Sequence, residues 1–277
     1  MATPRDMLTE FFFGGDKEAA RCLFERPSED VAVHVQGGAL KNPLLTIDWW
    51  PHIAALLDNH DIGAFEFDVI HSGNAVPAQA LLDAKAHPSA DAIFKAINQG
   101  ATLRVYGVSR FQSQCASLLQ LLRQVLKREA FVNLYLTPAQ SPGLKLHFDL
   151  EDSLVVQVKG EKHWKLYEAS GGTRYPRALS TPSVRAEPKQ IIHMRAGDVL
   201  YVPSGMAHTV DTRESSSQHV TFGVHVSRPV TLLSGLLEQF AASDEELRRP
   251  LRTDEDVPRE QLAAWASRFE RWLAGGR

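Results

Sequence analysis

From Phe131 to about residue 226 apolar and polar residues alternate with a period of two, in short runs broken by Gly, Pro, Ser and Asp. The runs fall at residues 131–137, 145–150, 153–159, 163–167, 190–194, 198–203 and 218–226. Strands this close together leave no room for crossover helices, so the pattern predicts an antiparallel sandwich or barrel rather than βαβ units. Helical periodicity lies on either side. Residues 49–57 read as a helix, and in residues 117–128 Leu118, Leu121, Leu122 and Val125 recur at i, i+3, i+4 and i+7. After Pro229 the same period returns in Leu232, Leu233, Leu236, Leu237 and Phe240, then in Leu262, Trp265, Phe269, Trp272 and Leu273. Residues 244–258, rich in charge, read as an exposed connector. The expected class is mainly β with flanking helices.

Composition narrows the function classes. A chain of 277 residues can bury a substantial core without covalent staples. Its two cysteines, Cys22 and Cys115, show no paired spacing, which predicts a reducing, cytoplasmic setting and excludes a disulfide framework or a zinc ribbon. A formal net charge of -3 provides no global field for nucleic acid, so no direct nucleic-acid partner is expected. No cationic leader with an apolar core is seen, and no run approaches the length of a membrane span, so no membrane partner is expected either.

Chemistry concentrates in Leu146-His147-Phe148-Asp149, where two metal-ligand types are one residue apart inside an expected strand. Alternation would put His147 and Asp149 on one face, about 7 Å apart along the chain, close enough to share an ion. With 11 histidines in the chain, a His-x-Asp pair alone recurs by accident. A second element sharpens it: Gly197-Asp198, an apolar strand and Pro203-Ser204-Gly205 lead to His208. Two histidines and one carboxylate make the facial triad of non-haem Fe(II) oxygenases, with three positions left open. His163, His193, His219 and His225 compete for the third place, although each lies within a strand-like run. A 2-oxoglutarate-dependent enzyme also needs a cation for the distal carboxylate. Lys162, beside a Gly turn, is a candidate, with Lys159 and Lys165 as competitors and Arg104 and Lys145 next in line. Asn133 and Tyr135 alternate onto one face, where an amide and a phenol could bond a carboxylate.

Together these segments resemble the JmjC-type cupin oxygenases, in particular their ribosomal-oxygenase branch. The likeness runs through Gly100-Ala101-Thr102-Leu103, Asn133-Leu134-Tyr135-Leu136-Thr137-Pro138, His147-Phe148-Asp149, Gln157-Val158-Lys159-Gly160-Glu161-Lys162-His163-Trp164 and residues 197–208, over roughly residues 95–228. It implies a double-stranded β-helix, or jelly-roll, core that binds Fe(II) through His147, Asp149 and His208 and uses 2-oxoglutarate and O2. It places Lys162 on the co-substrate carboxylate, Asn133 in the same pocket, and His219 close behind. The implied organisation is a mixed helical and strand region over residues 1–94, a catalytic barrel over 95–228 and dimerising helices over 229–277. The tail is too short for the winged-helix domain of that branch.

The expected activity is hydroxylation of an amino-acid side chain in a protein or peptide. A small-metabolite hydroxylase, and a non-oxidative cupin acting as isomerase or metal sensor, are the alternatives. No aromatic cage for a methyl-ammonium group is recognisable.

Overall fold

The computed structural model describes residues 2–25, 31–168, 184–251 and 257–275, and the chain divides into two units, Met1–Val226 and Ser227–Arg277. The strands described are β1 (Val33–Val35), β2 (Phe67–His71), β3 (Asn74–Ala75), β4 (Thr102–Val105), β5 (Ala130–Thr137), β6 (Asp152–Tyr167), β7 (Gln190–Arg195), β8 (Val199–Val202), β9 (Ala207–Asp211) and β10 (Ser217–Val224). The helices of the first unit are α1 (Pro4–Phe13), α2 (Lys17–Phe24), α3 (Trp49–Asp58), α4 (Ala90–Asn98) and α5 (Ser113–Leu126). Those of the second are α6 (Pro229–Ser243), α7 (Glu245–Arg248) and α8 (Arg259–Ala274).

One antiparallel sheet runs β1-β8-β6-β10-β5-β4-β2-β3, and the second half of β6 leaves it to pair with β7 on one side and β9 on the other. This is the double-stranded β-helix expected from the sequence. The large sheet is buried on both faces. Its outer face puts Val132, Leu134, Leu136, Val156, Val220 and Phe222 against the helices, where Phe12 meets Phe222 edge-on with ring centroids 5.4 Å apart. A second cluster, including Val155, Trp164, Leu166, Met194, Leu200 and Val210, fills the barrel. Each face contributes by the alternation that the sequence displays.

β6 serves both sheets because its register slips once. His219 pairs with Gln157, but Gln218 pairs with Lys159, so β6 carries one extra residue opposite β10. Val158 joins the helix-side core and Lys159 reaches Asp48 at 2.9 Å, after which the inward parity changes from odd to even. That change turns Lys162, Trp164 and Leu166 into the barrel. Gly160 follows at φ +66°, and a Cβ built there would overlap the Ser216 carbonyl oxygen.

Three sequence expectations need correction. Residues 145–150 form no strand: only an isolated antiparallel bridge joins His147 to His208. Residues 153–159 and 163–167 are one strand rather than two, with Lys162 inside it. Residues 245–248 of the expected connector form α7, whose cap residue Asp244 pairs with Arg268 at 3.2 Å and whose Glu246 accepts from Trp265 Nε1 at 3.1 Å. In the same unit Phe240 packs on Phe269 and Trp272 at 5.5 and 5.7 Å.

Gly160→Ala should destabilise the protein by roughly 1–3 kcal/mol, through a forced positive φ and a backbone clash. Gly235→Ala, in mid-helix where a Cβ meets open space, should not. Denaturant unfolding of the two variants compares them directly, and equal stabilities would refute this account of Gly160.

Candidate active site

His147 and Asp149 lie on the irregular segment between β5 and β6, and that segment is held by backbone bonding to one turn. His147 N donates to His208 O at 3.1 Å and His208 N to His147 O at 2.8 Å. Residues that exchange both bonds stand directly opposite with side chains on one face, and the two imidazole rings are 4.2 Å apart. The Pro203-Ser204-Gly205 turn completes the fixation: Gly205 N donates to Asp149 O at 2.8 Å and Ser204 Oγ to Leu150 O at 2.8 Å. Ser204 N bonds Asp152, whose other oxygen pairs with Arg128 at 2.9 Å.

Both histidines present the same nitrogen. His147 Nδ1 is 2.7 Å from Lys145 O and His208 Nδ1 is 3.0 Å from Met206 O. A carbonyl only accepts, so each Nδ1 carries the proton and each Nε2 offers a lone pair. Burial, aided by the neighbouring His147, pushes His208 down to about 4, so it is a neutral base at pH 7. Asp149 Oδ2 is 3.8 Å from His208 Nε2 and accepts from Ser153 Oγ at 3.3 Å. The ligating atoms of His147, Asp149 and His208 all lie within 4.8 Å of one another, a donor set suited to one transition-metal ion.

Deeper in the barrel Lys162 is 1% exposed, and its ammonium donates to Thr137 Oγ1 at 2.7 Å. Burial lowers its pKa to about 7, with Asp211 opposing the fall. Thr137 Oγ1 also lies 3.1 Å from Thr102 Oγ1. Tyr135 stacks on His219 at 4.7 Å, and the Trp164 ring lies between His219 and His208, 6.2 and 5.3 Å away. Burial, with the Lys162 charge nearby, holds His219 well below its usual range, and among the described residues its Nδ1 is buried without a partner, as is Trp164 Nε1. Asn133 Oδ1 accepts from Gly107 N at 3.1 Å. Asn133, Tyr135 and Asp149 line a cavity of about 430 Å³ together with Arg104, Glu151 and Thr221.

The structure therefore gathers His147, Asp149 and His208 at the barrel mouth and Lys162, Asn133, Tyr135 and His219 behind them. Among the competing cations, Lys159 pairs with Asp48 and Lys145 with Asn74 at 3.3 Å, while Arg104 lines the cavity with its guanidinium held by Asp68 at 3.1 Å. Of the competing histidines, His163 and His193 stack on each other and His225 meets Phe131. Sequence reasoning missed Thr137 and Ser153. The alternation that picked out Asn133 and Tyr135 reaches Thr137 two residues later, whereas nothing local marks Ser153.

A double-stranded β-helix with two histidines and a carboxylate converging at one end is a cupin. Residues 106–232 match the JmjC domain family. Over that segment the chain resembles a JmjC domain, and it is similar to the ribosomal oxygenases. It is 29% identical over 165 residues to Ribosomal oxygenase 1 of Danio rerio, covering 56% of this chain and 30% of that protein. It is 30% identical over 174 residues to the bifunctional lysine-specific demethylase and histidyl-hydroxylase NO66 of Drosophila simulans, covering 58% of this chain and 20% of that one. The chain spans less than a third of the length of either relative. The solved structure of E. coli ycfD matches with a TM-score of 0.61 at 18% identity, over 91% of this chain and 66% of that one. YcfD in complex with cobalt and 2-oxoglutarate, described as a ribosomal oxygenase from Escherichia coli, matches at 0.57 and 16% identity, over 88% and 65%.

A buried lysine with a depressed pKa is a cost to the folded chain. Between pH of about 7 and 10.5 the unfolded chain holds more protons at this site, so this group makes stability rise with pH across that window. Lys162→Met should raise stability near neutral pH and flatten that rise, whereas Thr137→Val should cost about 1–3 kcal/mol by leaving the ammonium without its acceptor. Denaturation midpoints at several pH values check both.

Proposed function

We propose that this protein is an Fe(II)- and 2-oxoglutarate-dependent oxygenase that hydroxylates an amino-acid side chain of a protein or peptide. The observation that carries the reading is the His147–Asp149–His208 donor set opening into a barrel whose depth holds a buried, under-satisfied lysine. The residues fit the co-substrate. Lys162 has three N–H donors and one hydroxyl acceptor at Thr137, and His219 Nδ1 and Trp164 Nε1 are buried polar atoms without partners. A carboxylate reaching Lys162 from the metal would satisfy the ammonium.

In this reading His147, Asp149 and His208 hold iron on one face, and Lys162 with Thr137 takes the distal carboxylate. An iron ion held there would supply O2 activation, with 2-oxoglutarate as the two-electron reductant, so that one oxygen atom would end in succinate, released with CO2, and the other in the substrate. Burial raises the Tyr135 phenol above its usual range, so it stays protonated as a donor in the pocket. Asn133 spends its carbonyl oxygen on Gly107 N, which leaves its NH2 for a ligand. The Trp164 ring packs against His208 and His219 beside the buried cation. The cavity beside Asp149, about 430 Å³, can admit a substrate side chain, and similarity to a ribosomal oxygenase and to a histidyl-hydroxylase favours a protein substrate over a metabolite.

Two further readings belong to the whole protein. Cys22 and Cys115 are free and buried, with burial pushing both thiols up to about 12, which suits a reducing cytoplasm. Among the described residues, no helix is long and apolar enough to cross a membrane. The second unit exposes Leu232, Leu233, Leu237 and Leu262, an apolar face suited to homodimerisation through residues 229–277.

The test is succinate formation from 2-oxoglutarate with Fe(II), paired with a search for protein products heavier by about 16 Da. His208→Ala should lose metal and turnover; full iron occupancy in that variant would overturn the assignment. Lys162→Ala should keep metal and bind 2-oxoglutarate roughly ten- to a hundred-fold more weakly. Because the carboxylate raises the depressed lysine pKa, binding should take up a proton at about pH 8.5 and almost none at about pH 6, read as a buffer-dependent calorimetric heat. Light scattering should report a dimer for the full chain and a monomer after truncation at Pro229.

A further inference from the structure

The outer face of the small sheet carries a second group of metal-ligand side chains, apart from the barrel site. Glu161 and His163 are two residues apart on β6 and share a face, and His193 stands directly opposite His163 on β7. The inward parity of this half of β6 belongs to Lys162, Trp164 and Leu166, so the three ligand types point away from the barrel. His193 Nε2 lies 2.7 Å from Glu161 Oε2, and the His163 and His193 rings stack at 4.1 Å with planes 16° apart. All three ligating atoms are within 4.8 Å of one another, and all three residues are half-buried and open to solvent on one side.

We propose that Glu161, His163 and His193 form a second metal site, which takes Zn(II) or a similar borderline divalent cation and is independent of the barrel site. Two imidazoles and a carboxylate are the ligand set such ions prefer, and the open side leaves the fourth position for water. Zinc bonds of about 2.0–2.2 Å set donors roughly 3.4 Å apart, so small side-chain rotations from the observed spacing close the site. Glu161 is already oriented by its hydrogen bond with His193 Nε2. A divalent ion would replace the single proton that now joins Glu161 to His193. Asp211, opposite His163 on β9, has a carboxylate oxygen that is buried without a hydrogen-bond partner, and it adds negative charge on the same face. Arg213, 3.5 Å from Asp211, offsets part of that charge and leaves Glu161 as the anionic ligand.

The site ties β6 to β7 on the side opposite Lys162, so its occupancy can be read separately from turnover. The decisive experiment is equilibrium dialysis against micromolar Zn(II), with metal analysis, on the full chain and on His147→Ala/His208→Ala, which disables the barrel site. The double variant is expected to retain one zinc per chain. That zinc should be lost in the same background on adding His163→Ala/His193→Ala or the near-isosteric Glu161→Gln, whose fold is checked by circular dichroism. With Co(II) as probe, the double variant should show visible d–d absorption that Glu161→Gln abolishes. A double variant that binds no zinc, or a zinc that survives loss of His163 and His193, overturns the proposal whether or not the protein proves to be an oxygenase.

Discussion

Two backbone hydrogen bonds exchanged between His147 and His208 join parts of the chain about sixty residues apart, and the candidate site depends on that exchange. It occurs outside any regular strand pairing, at a single bridge. Regular strands on their own would have separated the ligands along a ladder. The bridge instead faces the two imidazoles, and the Ser204–Gly205 turn grips the carbonyls of Leu150 and Asp149 so that the carboxylate arrives at the same point. Because the protons of both Nδ1 atoms go to local carbonyls, the tautomers are set by the backbone before any metal binds.

β6 connects this mouth to the depth of the barrel. Its one extra residue opposite β10 exchanges the inward and outward faces midway along the strand, so one element lines the large sheet with Val155 and Gln157 and the small sheet with Lys162 and Trp164. Without that slip Glu161 and His163 would face the barrel, and Lys162 would face solvent. The same shift therefore creates both the buried cation of the candidate active site and the outward Glu161, His163 and His193 group.

Lys162 is a position where stability is given up. A fully buried ammonium with one neutral acceptor works against folding, and Thr137, itself held by Thr102, only partly compensates. Such an arrangement makes sense when a carboxylate completes it, because the protein has then already met the cost of desolvating the cation. The unpaired Nδ1 of His219 and Nε1 of Trp164 repeat the pattern on a smaller scale.

Much of this was legible in the order of residues. Period-two runs separated by turns dictated a β barrel, because alternating side chains can bury one face of a strand without a helix between strands. His147, Asp149 and the turn-delivered His208 were recognisable as one ligand set from type and spacing, and the position of Lys162 from its resemblance to a family motif. What local pattern could not decide depended on long-range pairing. The short strands β1 to β4 are two to five residues each and acquire their structure only as neighbours of β8 and β5. Residues 145–150 alternate like a strand, yet their partner is a single residue of β9. Thr137 beneath Lys162 and His193 opposite His163 are contacts across strands, and which face of β6 they meet is set by a bulge whose effect exists only once β10 is in place. Residue types and local period are properties of a short window of chain, whereas register is an agreement between distant ones.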